Sequence, residues 1–495
     1  MPMIDPAKCF SSGEDHTRGL VLHYYLMIGD ADHLAAPRPL GDIGAIHVEH
    51  VLLAGSVVGI SWDGGENHSV VFVIEIGAPE GHDAGQREIE RIACHIGDRD
   101  NATTAHAVTT QKSDIKVTFE LADLPGVSRC FVHCPGLVES HYRGDPVVLS
   151  SADAFILLVV PFTSSSTRKD CNDFFVYKAG PGAPSLRLLP GVSPYRSPDN
   201  VTLAGIVPLG GADLNNKGYA VVFPRYTNDP FYTNDHIDKK YKYILQVYRS
   251  DVSYCPWRKE VANIAMDTKY HNHEVIMRHE GTRVIFAGRE TLGWVNHWHG
   301  ILLCNVLDHR LAMHFIQWPV PISCDLVPRF GTGVDNIYAR PFRDVVISNG
   351  MIRFVELKSC QHRHTHNEKG IIGQGWTVTT WNKGICSKKW HKSYTLKADN
   401  VPLTGLSYPK VSGDKRLSWD NVVHGGPTLS LCDDDIVYIM ARLDTRHRIA
   451  WMLAINIREG TLEAVEQCSA EKMFGLEPTY VQCALSDYLK HWSRS

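Results

Sequence analysis

Apolar runs of strand length recur along the whole chain, and glycine, proline, asparagine and aspartate bound them. Runs of this length with turn residues between them are typical of β-strands. Long helical periodicity is nearly absent, with helix candidates at Gly85–His95 and Leu485–Trp492. Regular strands without long helices predict an all-β fold with few short helices. The clearest runs are Ser69–Ile76, Ile115–Glu120, Phe155–Pro161, Phe174–Lys178, Tyr219–Pro224, Tyr243–Arg249, Ile301–Leu307, Ile352–Leu357, Val437–Ala441 and Trp451–Ile457.

The chain is longer than a single compact core allows. It has 495 residues, whereas single cores stop growing near ~250–300 residues. The strands therefore belong either to several domains or to a repeat architecture in which each unit packs on its neighbours. Hydrophobic residues make up 44% and charged residues 21%, which excludes wholesale disorder. The net charge is −4, so we expect no nucleic-acid partner, because phosphate binding needs a basic excess.

Turn residues locate several hairpins directly. Asn349-Gly350 lies between the apolar runs Asp344–Ser348 and Met351–Leu357. Asn-Gly adopts the positive φ angles of a type I′ turn, which joins two antiparallel strands. Two further hairpins are predicted, from Gly293–His299 through Gly300 to Ile301–Leu307, and from Val437–Leu443 through Asp444–Arg448 to Trp451–Ile457.

One hairpin pattern repeats. An apolar strand ends in an aromatic residue, a polar turn follows, and a second large apolar residue comes nine positions after the first. This offset places the two large side chains on corresponding positions of a hairpin, where cross-strand packing stabilises the pair. Hairpins recurring in this way predict an array of antiparallel blades like a β-propeller, of six or so blades. The pairs are Tyr177 and Leu186, Tyr248 and Trp257, and Trp381 and Trp390, with a looser copy over Leu453–Val465.

Six segments occur in a characteristic order: Asn101–Ala105, Val127–Gly136, Tyr243–Trp257, Gly293–Leu307, Asp344–Leu357 and Thr428–Met440. In this order the chain resembles the plant family called domain of unknown function 1618, which is expanded in grasses. The resemblance implies a propeller-like fold similar to F-box-associated and kelch-type repeats. It gives an expected division into a divergent segment 1–90, which could be an additional blade, a propeller-like domain 91–475 and a tail 476–495.

The resemblance supplies no reaction, because the family is named for lacking a known function. The hairpins of the family are similar to those of propellers that serve as binding platforms. No leucine-rich F-box helix bundle precedes residue 90, so a ligase-adaptor role does not follow. His297 and His299 depart from the family pattern, which expects an apolar and a basic residue there.

The compartment is predicted from what the chain lacks. The N-terminus has no continuous apolar core of a secretory signal, and no apolar stretch reaches the ~20 residues of a membrane span. The 13 cysteines are odd in number and scattered, as in a reducing compartment. We expect a cytoplasmic and/or nuclear protein with no membrane partner.

No recognised catalytic motif occurs, whether a Walker loop, GxSxG, HExxH or a GxGxxG followed by a helix. We therefore predict no catalytic residue, no cofactor-binding residue, no cofactor and no metal ligand. The strongest metal candidate is His362, His364 and His366, which alternate and could share one strand face as zinc ligands. Hydrophilic neighbours favour a solvated loop instead.

Other polar groups receive a structural interpretation. Each could bind a ligand, but a turn, a strand start or a half-buried blade position explains its residues as well. The groups are His297 with His299, Tyr270–His273, Asp433–Asp435, Arg143–Asp145, Cys130 with Cys134, and Lys239–Tyr243.

Two functions remain open. The first is a protein-interaction module, with a role in stress response, reproduction or transcriptional regulation, supported by the repeats and by 30 tyrosine and tryptophan residues together. The second is an enzyme or small-ligand binder with a site at the propeller mouth, assisted by zinc on His362, His364 and His366. Oligomeric state does not follow from the sequence.

Overall fold

A computed structural model describes the chain in segments. By its contacts the chain divides into two compact units, 1–87 and 88–495. The first holds an antiparallel sheet of β1 (Leu22–Tyr25), β2 (Val58–Ile60) and β3 (Phe72–Ile76), with β3 in the middle. The described residues are 22–25, 58–60, 72–76, 92–163, 171–180, 182–191, 203–210, 218–227, 242–265, 279, 281–321, 339–359, 375–402, 419, 422–444, 447–470, 473, 476, 478 and 483.

Blades 1 and 2 open the second unit. In blade 1 the strand order is β5-β8-β7-β6, with β5 parallel to β8. In blade 2 the order is β9-β10-β11-β12, and β4 adds to the free side of β9. The strands are β4 (Ile92–Ala93), β5 (His95–Ile96), β6 (Ala105–Val108), β7 (Asp114–Glu120), β8 (Arg129–His133), β9 (Val147–Ala152), β10 (Phe155–Phe162), β11 (Cys171–Lys178) and β12 (Ser185–Leu188).

Blades 3 and 4 are antiparallel meanders that share one eight-stranded sheet. Their outer strands meet in parallel, with Asn263 to Ala265 of β16 opposite Ala312 to His314 of β20. The strands are β13 (Gly205–Pro208), β14 (Tyr219–Thr227), β15 (Lys242–Arg249) and β16 (Trp257–Ala265) in blade 3, and β17 (Arg283–Phe286), β18 (Thr291–Asn296), β19 (Gly300–Asn305) and β20 (Ala312–Gln317) in blade 4.

Blades 5 and 6 are separate four-stranded meanders. The helical elements of the described residues are single 3₁₀ turns, Glu139–His141 and Ala398–Asn400. The strands are β21 (Arg343–Ser348), β22 (Met351–Ser359), β23 (Trp376–Gly384) and β24 (His391–Lys397) in blade 5, and β25 (Val423–Leu429), β26 (Ile436–Arg442), β27 (Ile449–Asn456) and β28 (Thr461–Ser469) in blade 6.

Strand β10 shows why these sequences form blades. Every one of its side chains except that of Pro161 is buried. Ile156, Leu158 and Val160 pack in the core between blades 1 and 2, while the alternate residues pack in the core between blades 2 and 3. Because successive side chains point to opposite faces of a sheet, a strand buried on both faces must be apolar at every position.

Apolar clusters occupy every junction between neighbouring blades, from blades 1 and 2 through to blades 5 and 6. A sixth cluster closes the ring. Met440, Ala450, Met452 and Ala470 of blade 6 pack with Val127, which lies between β7 and β8 of blade 1. Six blades and six junctions confirm the predicted all-β propeller, including its approximate blade number.

The nine-residue pattern corresponds to real cross-strand pairs. Tyr248 lies directly opposite Trp257, with ring centroids 5.2 Å apart, and Tyr177 lies opposite Leu186. Trp381 and Trp390 instead converge on one ring, that of Phe354. The repeat therefore marks the hairpin between the third and fourth strands of blades 2, 3 and 5.

The predicted hairpins are confirmed at Asn349-Gly350, where φ is 50° and 73°, between β18 and β19, and between β26 and β27. The predicted helix at Gly85–His95 is wrong over residues 92–95, because Ile92–Ala93 form β4 and His95 begins β5. Their backbone groups pair with β9 and β8 instead, so tertiary pairing overrides a local helical pattern. The helix candidate Leu485–Trp492 lies outside the described residues.

Candidate functional site

A buried ion cluster joins the inner strands of blades 4, 5 and 6. Asp344, at the start of β21, is fully buried. Its Oδ1 lies 2.7 Å from Arg340 Nη1 and 3.2 Å from Arg283 Nη1 of blade 4. Its Oδ2 accepts a hydrogen bond from the backbone N–H of Leu429 in blade 6, at 3.0 Å. One carboxylate thus ties three blades together.

A second buried pair lies beside this cluster. Arg343 donates from Nη2 to Glu356 Oε1 at 2.6 Å, and both side chains are at most 2% exposed. The guanidinium also donates to the carbonyls of Trp298 at 3.2 Å and Pro321 at 2.9 Å. Burial lowers the pKa of Arg343 and the Glu356 carboxylate opposes that shift. The planar fork of arginine can satisfy several acceptors at once, which lysine cannot do.

Arg353 provides a third connection between blades 5 and 6. It donates to the carbonyl of Ser430, and its Nη1 lies 2.9 Å from the exposed carboxylate of Asp434. Burial lowers its pKa, while Asp434 has the opposite effect. Buried charges are tolerated when they are paired and hydrogen-bonded. These contacts connect blade 5 to blade 6.

An aromatic cluster with a buried histidine lies between blades 5 and 6. Trp376 meets Trp419 edge-on at 5.4 Å between ring centroids, and both rings contact His424. His424 is 5% exposed, and burial lowers its pKa to about 4. His279, in the core of blades 3 and 4, likewise has its pKa lowered to about 4 by burial. Both imidazoles are therefore neutral near pH 7.

A cleft of about 350 Å³ lies on blade 1. His106, Lys116 and His133 form a cross-strand row on β6, β7 and β8 within it. Lys116 Nζ lies 2.6 Å from Asp98 Oδ1, and this hydrogen bond lowers the pKa of Asp98 and raises that of Lys116. The ammonium of the cleft is thus already neutralised by a side chain of the protein.

A basic edge lies on the outer strand of blade 5. We use this name for Lys388, Lys389, His391, Lys392 and Lys397, all of which are exposed. None of the four lysine ammonium groups has an ion-pair partner among the described residues. No aspartate or glutamate occurs from Cys386 to Lys397. Unlike the arginines inside the ring, these charges are available to another molecule.

A β-bulge gives the basic edge its geometry. The pairing of β23 with β24 shifts by one residue between Thr379 and Trp381. Thr377 and Trp381 lie opposite Lys397 and Lys392 respectively. Because 377 and 381 are an even number of positions apart, both lysines lie on the same face of the sheet. Without the bulge, their odd separation in sequence would place them on opposite faces.

The two histidines predicted as blade residues lie at the turn between β18 and β19. His297 is buried, with Nδ1 3.3 Å from Thr282 Oγ1, and His299 is half-buried. Cys130 and Cys134 both lie in the core of blades 1 and 2, and the thiol of Cys94 beside Cys130 raises the Cys130 pKa well above its ordinary value.

The three consecutive aspartates form a turn and do not converge on one point. Asp433 Oδ1 accepts from the Asp435 backbone N–H at 2.9 Å, Asp434 pairs with Arg353, and Asp435 pairs with Arg458 at 3.1 Å. Arg143–Asp145 is an exposed stretch before β9.

Several candidates fall outside the described residues: His362, His364, His366, Tyr270–His273 and 239–241 of the basic cluster Lys239–Tyr243. Over the part of the chain that is described, no three or more His, Cys, Asp or Glu side chains are grouped to hold a metal ion. In the same part, no helix is long and apolar enough to span a bilayer.

Sequence reasoning missed both the ion cluster and the basic edge. The basic edge had a visible signal, since residues 386–397 contain four lysines and no acid, and such charge patterning marks a surface. Asp344 had no such signal. Its arginine partner in blade 4 is 61 positions away, so the pair forms only once the blades are arranged in a ring.

These features define a six-bladed β-propeller whose inner charges are paired. Residues 294–438 match the model of a family described as protein of unknown function (DUF1618). The match confirms the resemblance over blades 4 and 5 and the start of blade 6. No curated protein matches the chain. A solved mannose phosphorylase from Leishmania mexicana, in complex with a phosphate ion, is similar at 10% identity and a TM-score of 0.19, covering 72% of this chain and 86% of that one.

Proposed function

We propose that this protein is a protein-interaction module of the plant cytoplasm or nucleus, with a role in stress response, reproduction or transcriptional regulation. One contrast supports the proposal. The buried cluster pairs Arg283 and Arg340 with Asp344, and Arg343 pairs with Glu356, whereas the lysines of the basic edge have no ion-pair partner among the described residues. A scaffold whose buried charges are paired, and whose outer strand exposes unpaired charges, is suited to recognise another macromolecule.

The inner strands favour this role over a ligand site at the propeller mouth. Strands β9, β13 and β17, from blades 2, 3 and 4, lie against one another. β13 is buried at every residue. The alternative function, an enzyme or ligand binder assisted by zinc, is tested by elemental analysis of the purified protein. One zinc per chain that is lost when His362, His364 and His366 are replaced would support it.

Affinity capture tests the interaction role. The full-length tagged protein is incubated with an extract of the organism that makes it, cross-linked and analysed by quantitative mass spectrometry. An unrelated tagged six-bladed propeller serves as the control. We expect the same partner in every replicate, and that partner, once purified, to bind the protein directly in calorimetry. A bait that enriches nothing beyond the control in repeated captures would contradict the proposal.

A further inference from the structure

We propose that the half-exposed face of β23 and β24 binds an extended acidic protein segment with carboxylates four residues apart. This inference rests on the proposed function and names the chemistry of the partner. The surface consists of Lys392 and Lys397 at its two ends, with Thr377, Thr379 and Thr395 between them.

The spacing of the two lysines selects the partner. Lys392 and Lys397 lie opposite positions 381 and 377 of β23. Four steps along a strand cover about 13 Å at ~3.3 Å per residue. An extended segment repeats its faces every two residues, so acidic side chains at i and i+4 point the same way with the same spacing. Each carboxylate can therefore meet one ammonium.

The polar side chains between the lysines suit a hydrated contact. Thr379 Oγ1 and Thr395 Oγ1 lie 3.3 Å apart across the two strands. Their hydroxyl groups can donate to or accept from a peptide backbone passing above them. The adjacent turn carries Lys388 and Lys389, which extend the positive charge beyond Lys392.

Charge complementarity favours an acidic occupant over other sources of contact. The protein as a whole has a net charge of −4, yet residues 386–397 carry four lysines and no acid. The corresponding outer strand of blade 6, β28, exposes Glu463 and Glu466 instead. Lysines can also protect a strand edge from aggregation, but that role does not require two of them aligned on one face by a bulge.

The same bulge argues for recognition through side chains. A bulge interrupts the regular row of backbone groups that an added strand would need. Contacts between ammonium and carboxylate groups remain available in that geometry. Such exposed pairs are each worth little and are screened by salt, so the binding is expected to be moderate and to weaken steeply with ionic strength.

Two labelled peptides of identical composition test the spacing. Each is 13 residues of serine and glycine with three glutamates, placed at positions 3, 7 and 11 in one and at 3, 6 and 9 in the other. Binding to the full-length protein is measured by fluorescence anisotropy at low and high salt. We expect the first peptide to bind about threefold or more tightly than the second, because spacing by three alternates faces.

Charge-reversal variants locate the site. Lys392→Glu with Lys397→Glu should weaken binding of the first peptide about tenfold or more, the sum of two exposed ion pairs. Lys392→Gln with Lys397→Gln should give a smaller loss. The matched control is Lys112→Glu with Arg258→Glu, which changes the total charge equally at exposed positions of blades 1 and 3. Unchanged thermal midpoints establish that each variant is folded.

Several results would overturn this inference. Neither peptide binds, or the two peptides bind with equal affinity. The control variant loses as much affinity for the first peptide as the Lys392→Glu/Lys397→Glu variant does. A thymidine oligonucleotide of the same charge binds as tightly as the first peptide. Lysine-dependent self-association in place of peptide binding would also overturn it. The proposed function survives if affinity capture returns partners equally with the wild-type protein and the Lys392→Glu/Lys397→Glu variant, whereas it fails if no surface captures a partner.

Discussion

The inner and outer strands of blade 5 use positive charge in opposite ways. At the inner strand, β21, Arg343 is fully buried and pairs with Glu356, and Arg340 just before it pairs with Asp344. At the outer strand, β24, exposed lysines have no partner in the described part of the chain. Arginine can satisfy several buried acceptors, while lysine is a hydrated point charge. One sheet thus carries charge that stabilises the ring and charge that is free to bind.

The largest effect is expected at the inner strand, when the carboxylate of Asp344 in the buried ion cluster is removed. Asp344→Asn leaves Arg283 and Arg340 without their carboxylate in a buried site. We expect a loss of about 4 kcal/mol in the free energy of unfolding, since breaking buried ion pairs costs about 3–5 kcal/mol. Urea denaturation measures it. Asp114→Asn, at an exposed position at the start of β7, is the control and should change little; equal effects would show that the cluster is not structural.

The pH dependence of stability tests the buried part of the propeller, because its histidines are neutral when folded. His424 has a pKa of about 4 when folded against ~6.5 when unfolded. Above pH 6.5 both states are neutral, and between pH 6.5 and 4 the unfolded state binds the proton first. Stability should therefore fall as pH falls through this window, by about 3 kcal/mol from this residue. Urea titrations from pH 7 to 4 measure the slope, and His424→Gln should flatten it; an unchanged slope would refute the assignment.

A milder substitution tests the second buried pair. Glu356→Gln keeps the size of the side chain but removes the charge that compensates Arg343. Leaving one buried partner poorly satisfied costs about 2 kcal/mol. The thermal midpoint should fall accordingly, while Glu260→Gln on exposed β16 should leave it unchanged. No shift in the Glu356→Gln midpoint would mean that the carbonyl acceptors alone hold Arg343.

The smallest effect is expected on the outer strand. Replacing Lys388, Lys389, Lys392 and Lys397 with glutamine should change the free energy of unfolding by no more than about 0.5 kcal/mol, because surface substitutions rarely do more. Calorimetry at low and high salt measures it. If the free energy of unfolding fell as much as in Asp344→Asn, the charges of the outer strand would be as important for stability as those of the inner strand.

The fold was largely predictable because its signals are local. Asn349-Gly350 specifies a turn, and the nine-residue offset between Tyr248 and Trp257 specifies a hairpin register. The ion cluster was not predictable, since Arg283 and Asp344 meet only through the packing of blade 4 on blade 5. The helix expected at Gly85–His95 shows the same limit, because residues 92–95 pair with strands that follow much later in the chain.

The parallel pairing of β16 with β20 gives the junction between blades 3 and 4 a backbone connection. Blades 3 and 4 share a ladder of backbone hydrogen bonds in addition to their apolar core. Among the described residues, the junction between blades 6 and 1 contains a cluster of four buried residues of blade 6, including Met440, that pack against Val127. We therefore expect mechanical load to separate blade 6 from blade 1 before it separates blade 3 from blade 4.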